Sequence, residues 1–151
     1  MPDGKYALVA EAMTRSFERH KAGIEAAIHA AAPDDLRGQL VGIAAWLLSQ
    51  PPIDMVRMSN SDFPALDAKT AVALENEAYF TTMVPVEQLL EQAQARGEIE
   101  HSNMGNIGGA YLSAIQGIHA IPTAYIPTSR LTFAEEIIDV LLRGIRKENH
   151  A

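Results

Sequence analysis

The chain has 151 residues, of which 48% are apolar and 21% charged; this excludes a disordered composition and supports a sizeable core without crosslinks. It has no cysteine, which excludes disulfides and thiolate metal sites and fits a reducing cytoplasm. Its net charge of -7 and lack of a basic face argue against nucleic-acid binding by this chain, because phosphates need cationic partners.

The amino terminus and the apolar runs predict a soluble protein without a membrane partner. Residues 1–5 lack the apolar run of a signal peptide. No window approaches the length of about 18 uninterrupted apolar residues that a membrane span needs. We therefore predict one cytoplasmic domain over residues 1–151.

Two amphipathic helices open the chain. Residues 5 to about 31 place apolar side chains at three- and four-residue steps, and Pro33 ends the pattern. Asp34 is the predicted N-cap of a second helix that runs to about residue 49, where Pro51 and Pro52 stop it. Residues 53–63 read as a linker or flap.

The second half predicts further helices. Asp67 caps a helix that runs to about residue 96, and Pro85 predicts a kink near residues 81–84 or two consecutive helices. Gly97 ends it, and Asn103 caps the next helix, which stops before Pro122. Thr132 and Glu135 form a capping box for a last helix to about residue 147. No segment alternates apolar and polar residues with the period of two that is typical of a β-strand. We therefore predict an all-α bundle of about six helices.

The last two helices differ in surface. The first has small residues four positions apart from Gly105 to Gly117, which favours close backbone approach, and the second has an apolar stripe. We predict that both pack on a second copy of the chain as a four-helix seam. Alternatively, the small residues only admit a neighbouring helix of the same chain. The predicted interface residues are Gly109, Ser113, Gly117, Ile137, Leu141 and Ile145.

No catalytic constellation is evident. Catalysis needs a nucleophile beside a base, paired carboxylates on a buried face, or clustered metal ligands, and no such spacing occurs. The five histidines include no H-x-x-x-H pair. We therefore predict no enzymatic activity, no metal and no cofactor.

Two histidines and a methionine-aromatic set are candidate pocket residues. His20 interrupts the apolar stripe of the first helix, and His119 shares a helix face with two apolar residues. Each could orient a ligand in an apolar cavity; alternatively, each is a core histidine bonded to a backbone carbonyl. The methionines and aromatics line a pocket or simply fill the core. The predicted ligand-binding residues are Phe17, His20, Trp46, Met55, Met58, Tyr79, Met83, Tyr111, Ile115 and His119.

The order of these features resembles the tetracycline-repressor (TetR) family of transcriptional regulators. The resemblance rests on Gly4 and Lys5 followed by Leu8, the segment LLEQAQARGEI at 89–99, the glycine-rich helix and the terminal IDVLLRGI at 138–145. It covers essentially the whole chain, but only as the C-terminal effector-binding and dimerisation domain. The three N-terminal helices that read DNA in that family are missing, as if the chain had been cut at the domain junction or assigned a late start codon.

The resemblance implies a homodimer that binds a small, largely apolar effector. DNA would be bound only through the absent N-terminal domain, and the effector would shift the spacing of two DNA-binding heads. A different class of protein fits the same pattern: a helical homodimeric protein-interaction module with a filled core and no small-molecule site.

Overall fold

A computed structural model describes residues 2–51, 60–61 and 63–147. Within these residues the secondary structure is helical, and the only strand-like pairing is an isolated bridge between Ile99 and Arg146. The all-α prediction is confirmed. The α-helices of the described ranges are α1 (Pro2–Ala30), α2 (Leu36–Ser49), α3 (Ala68–Ala78), α4 (Val84–Ala95), α5 (Met104–Ala120) and α6 (Arg130–Ile145).

Four helices begin at residues whose side chains accept a hydrogen bond from the first turn. Asp67 and Asn103 cap α3 and α5 as predicted. The prediction that Asp34 caps α2 is wrong, because Asp35 Oδ1 accepts the Gly38 N–H at 2.9 Å.

The predicted start of the last helix is also wrong. Ser129, not Thr132, caps α6, and its Oγ accepts the Thr132 N–H at 3.0 Å. The Ser129 hydroxyl also donates to the Thr132 hydroxyl oxygen at 2.9 Å. Thr132 therefore lies in the first turn rather than before it. The helix ends at Ile145, two residues before the predicted end.

Helices α3 and α4 are joined by one π-helical segment (Tyr79–Met83). The Val84 N–H donates to the carbonyl of Tyr79, five residues back, so the helix widens just before Pro85. Proline cannot donate and its ring crowds the preceding turn, which is a common origin of such interruptions. The predicted break at the proline is confirmed, and its form is a π-turn.

Two apolar clusters fill the interior. The larger lies among α1, α2, α4, α5 and α6 and includes the fully buried Ile24, Leu40 and Leu90. The smaller joins α1 to α3 through Phe17, Leu74 and other buried side chains. Each buried aliphatic or aromatic side chain contributes roughly 1.5–3 kcal/mol relative to an exposed one. These clusters fix α1 against both halves of the bundle.

Gly97 ends α4 with a φ of +79°, in the left-handed region that costs other residues roughly 1–2 kcal/mol. We expect Gly97→Ala to lower the free energy of unfolding by about 1 kcal/mol, measured by urea denaturation. Gly144→Ala is the control, because Gly144 is exposed, lies in α6, and its added Cβ would meet nothing within 4 Å. Equal losses in both variants would contradict the expectation.

Candidate functional site

A cavity of about 50 Å³ lies where α1, α2, the π-turn and α5 meet. An engineered cavity of about 150 Å³ admits benzene, and one water needs roughly 10–15 Å³, so this space takes a few small atoms. The side chains around it are apolar except for two histidines, a threonine and a glutamine. The lining residues are His20, Leu47, Pro51, Thr82, Leu112, Ile115, Gln116 and His119.

His20 is the buried polar residue of α1. It lies between Phe17 of the smaller cluster and Ile24 of the larger, and only 1% of its surface is exposed. Its Nδ1 lies 2.7 Å from the carbonyl oxygen of Ser16, one turn back. Because a carbonyl can only accept, Nδ1 carries the proton. Burial, the largest effect, lowers the pKa of His20 below 6.5, so the ring is neutral at pH 7.

The Trp46 ring packs against the His20 ring. The two ring centroids are 5.1 Å apart at an interplanar angle of 87°, which is an edge-to-face contact. Trp46 itself faces the groove between α1 and α2 and covers Gly23, rather than lining the cavity. Trp46 therefore contacts a lining residue of the cavity without lining the cavity itself.

His119 lies on α5 at the opposite side of the cavity. Its Nε2 donates to the carbonyl oxygen of Gln50 at 2.7 Å, across 69 residues of sequence. This contact ties the last turn of α5 to the residue that follows α2. Both histidines thus make the backbone hydrogen bond that sequence reasoning offered as the alternative to a ligand role, and both line the same cavity.

Thr82 places a third polar atom at the cavity from the π-turn. Its hydroxyl donates to the carbonyl oxygen of Ala78 at 2.8 Å. π-Turns recur at functional sites because the widened turn presents side chains that a regular helix would direct elsewhere. Sequence reasoning missed Thr82, although Pro85 three residues later marked the distortion.

The other predicted ligand residues lie elsewhere, apart from Ile115, which is buried and lines the cavity. Phe17 is buried in the smaller cluster, and Met83 packs on the larger core and faces Gly109. Tyr79 is 46% exposed and donates its hydroxyl proton to Glu87. Met55 and Met58 lie outside the described residues.

Tyr111 belongs to the core rather than to the cavity. It is 2% exposed, and its hydroxyl donates to the carbonyl oxygen of Leu40 at 2.6 Å. Burial raises the pKa of Tyr111, so the hydroxyl keeps its proton at neutral pH. This bond ties α5 to α2 beside the cavity. Two lining residues of α5, Leu112 and Gln116, were not predicted from the sequence. They share a helix face with Ile115 and His119.

The predicted interface residues divide into exposed and buried ones. On α5, Ser113 and Gly117 are exposed and Gly109 is half-buried. On α6, Ile137 and Leu141 are half-buried and pack on the protomer's core. Ile145 is only 6% exposed within the protomer, whereas Val140, which sequence reasoning passed over, is 63% exposed.

Two broader features bear on function. Within the described ranges, no three His, Asp or Glu side chains are grouped so that they could hold a metal ion. Over those same ranges, no helix combines the length and apolar character needed to cross a membrane.

Comparison with solved structures relates this fold to known proteins. A protein of unknown function from Rhodococcus sp. RHA1 superposes with a TM-score of 0.69 at 18% identity, over 93% of this chain and 74% of that one. PfmR from Thermus thermophilus, a TetR family transcriptional regulator, superposes with a TM-score of 0.59 at 16% identity, over 92% of this chain and 75% of that one. The chain has the fold of a TetR-like regulator. No protein-family profile and no curated sequence matches it.

His20 makes stability depend on pH. Because its pKa is lowered in the folded state, the unfolded chain binds a proton below pH 6.5 while the folded chain does not. Above about pH 6.5 His20 is neutral in both states and does not lower the free energy of unfolding. Below that pH the free energy of unfolding falls as the pH decreases, by at most about 1.4 kcal/mol per pH unit.

The test is urea denaturation between pH 5.5 and 8. We expect His20→Gln to flatten the acid side of the stability profile. His29→Gln is the matched control, because His29 makes the same bond to the carbonyl four residues back but is exposed on α1. A His20→Gln profile as steep as the wild type would contradict the expectation.

Proposed function

We propose that this chain is the ligand-sensing and dimerisation domain of a TetR-like transcriptional regulator. In this proposal a small, largely apolar molecule binds at the cavity between His20 and His119, and the chain forms a homodimer through α5 and α6. DNA is bound by a helix-turn-helix domain outside these 151 residues. The observation that carries the proposal is the shared fold with PfmR over nearly the whole chain.

Helix α5 supplies a physical link between the two sites. One face contributes Ile115 and His119 to the cavity, while Ser113 and Gly117 on another face are exposed. A ligand that moves or rigidifies α5 would change how two copies pack. Such coupling is a shift between two dimer arrangements, driven by the difference in ligand affinity for them.

Two measurements test the proposal. We expect light scattering at high micromolar concentration to give the mass of a dimer; a monomer would overturn the dimerisation role. We also expect the genomic sequence upstream of Met1 to encode an in-frame helix-turn-helix. A stop codon directly upstream, with no such domain, would contradict the regulator class.

The size of the cavity favours a second candidate, a helical homodimeric interaction module without a small-molecule site. About 50 Å³ is well below the space that most ligand pockets offer, roughly 300–1,000 Å³. The two candidates differ in ligand-dependent stability. A bound effector at a hundredfold excess over its Kd raises the free energy of unfolding by about 2.7 kcal/mol, whereas the module gains nothing.

A further inference from the structure

Three polar side chains around the cavity share one property: each donates its N–H or O–H proton to a backbone carbonyl. His20 Nδ1 donates to Ser16, His119 Nε2 donates to Gln50, and the Thr82 hydroxyl donates to Ala78. All three acceptors are backbone carbonyls, which cannot return a proton. Each side chain therefore retains an atom with lone pairs that can accept a hydrogen bond. These atoms are the second ring nitrogen of each neutral histidine and the threonine hydroxyl oxygen.

No charged group among the lining residues opposes this polarity, and one lining side chain, Gln116, carries an amide N–H group. Within the described residues, no donor reaches His20 Nε2 or His119 Nδ1. The lining contains no carboxylate, lysine or arginine, and the one amide, Gln116, belongs to an exposed residue at the mouth. The remaining wall is aliphatic, from Leu47, Leu112 and Ile115.

We propose that the cavity selects a neutral hydrogen-bond donor, a hydroxyl or an uncharged N–H, at the end of an apolar molecule. This inference rests on the proposed ligand-sensing function and names the chemical class that it accepts. The donor enters the space of about 50 Å³ between the histidines, and the apolar remainder lies at the mouth beside Pro51 and Gln116.

Other head groups fail for identifiable reasons. A carboxylate brings its lone pairs against those of His20, His119 and Thr82, and it has only the Gln116 amide to replace the donors of its hydration shell. An ammonium has donors but no carboxylate to offset its charge in an apolar wall. An ether has the same shape but no proton, so it leaves the acceptors of His20 and Thr82 unpaired. A hydroxyl replaces the donor that a displaced water would have supplied.

The experiment compares four six-carbon probes at pH 7.5: 1-hexanol, hexanoate, hexylammonium and methyl pentyl ether. Binding to the whole chain is followed by NMR of the histidine ring nitrogens. We expect 1-hexanol to shift the His20 Nε2 resonance saturably, with a Kd about tenfold below that of each other probe. His29 is an internal control, because it is exposed and makes the same carbonyl contact on the same helix.

Thr82→Val keeps the side-chain shape and removes one acceptor. We expect it to weaken 1-hexanol binding several-fold and to leave the ether unchanged. Thr14→Val is the matched control, since Thr14 also donates to the carbonyl four residues back but is exposed on α1. Equal weakening in both variants would overturn the role of Thr82 and with it the inference.

The remaining outcomes separate this inference from the proposed function. Tighter binding of hexanoate or hexylammonium, or equal binding of the ether, overturns the donor selectivity while leaving a ligand-binding cavity in place. No saturable shift of His20 by any of the four probes overturns both the selectivity and the ligand-sensing role.

Discussion

Gly23→Ala is expected to be among the most destabilising single-methyl additions in this chain. Gly23 is buried on α1, and a Cβ there would overlap the Cε2, Cζ2 and Cδ2 atoms of the Trp46 ring. The indole meets the buried ring of His20 on its other side, so an added methyl must push Trp46 against His20 or outward into the groove between α1 and α2. Overpacking of this kind costs typically 1–3 kcal/mol, despite alanine's helix preference over glycine of about 1 kcal/mol.

The chain provides a direct readout and a matched control. Trp46 is the only tryptophan, so its fluorescence reports displacement of the ring, and urea denaturation measures the loss of stability. Gly4→Ala lies on the same helix with nothing within 4 Å of the added Cβ, and should leave stability unchanged or slightly raised. Unchanged Trp46 fluorescence together with wild-type stability in Gly23→Ala would refute the packing described for α1 and α2.

Gly23 shows where sequence reasoning reached its limit. The apolar spacing predicts α1 correctly, because a 3.6-residue period is a property of the local sequence. A glycine within that pattern indicates that another part of the chain approaches the helix closely, but it does not identify which residue does so. The partner is Trp46, which we predicted to be a pocket residue. In the structure its indole packs over Gly23 and does not line the cavity.

Helix ends show a similar division. Asp67 was predicted because it is the one good capping residue directly before its helix, and the predicted Asn103 is also the observed cap. Asp34 and Asp35 are chemically identical neighbours, so local sequence cannot choose between them. In the structure the helix begins at Leu36, which is fully buried, and that burial fixes the register that makes Asp35 the cap.

The cavity depends on contacts that no local pattern encodes. His20 and His119 are far apart in the chain and line one cavity because α5 packs on α2 and on the π-turn, both of which pack on α1. Each was identified as a polar interruption of an apolar face, which is a local signal. The shared cavity and the bond from His119 to Gln50 follow from tertiary packing, whereas the bond from His20 to Ser16 lies within α1.

Gly117→Leu is expected to abolish or strongly weaken self-association without unfolding the protomer. Gly117 is exposed on α5, and within the described residues no atom outside its own helix backbone lies within 4 Å of an added Cβ. The protomer can therefore accept a leucine, which also favours the helix relative to glycine. In the proposed dimer the same position meets the partner at close range, where a bulky side chain costs roughly 1–3 kcal/mol per copy.

Sedimentation equilibrium measures the dissociation constant, which we expect to rise at least about fivefold for each kcal/mol lost. Gly4→Leu is the control, since Gly4 is also an exposed helical glycine with open space but lies on α1. If Gly117→Leu associates as tightly as Gly4→Leu while both remain folded by circular dichroism, the dimer does not use this face of α5. Gly109, where an added Cβ would lie 3.8 Å from Met83 Cε, would then keep a packing role within the protomer.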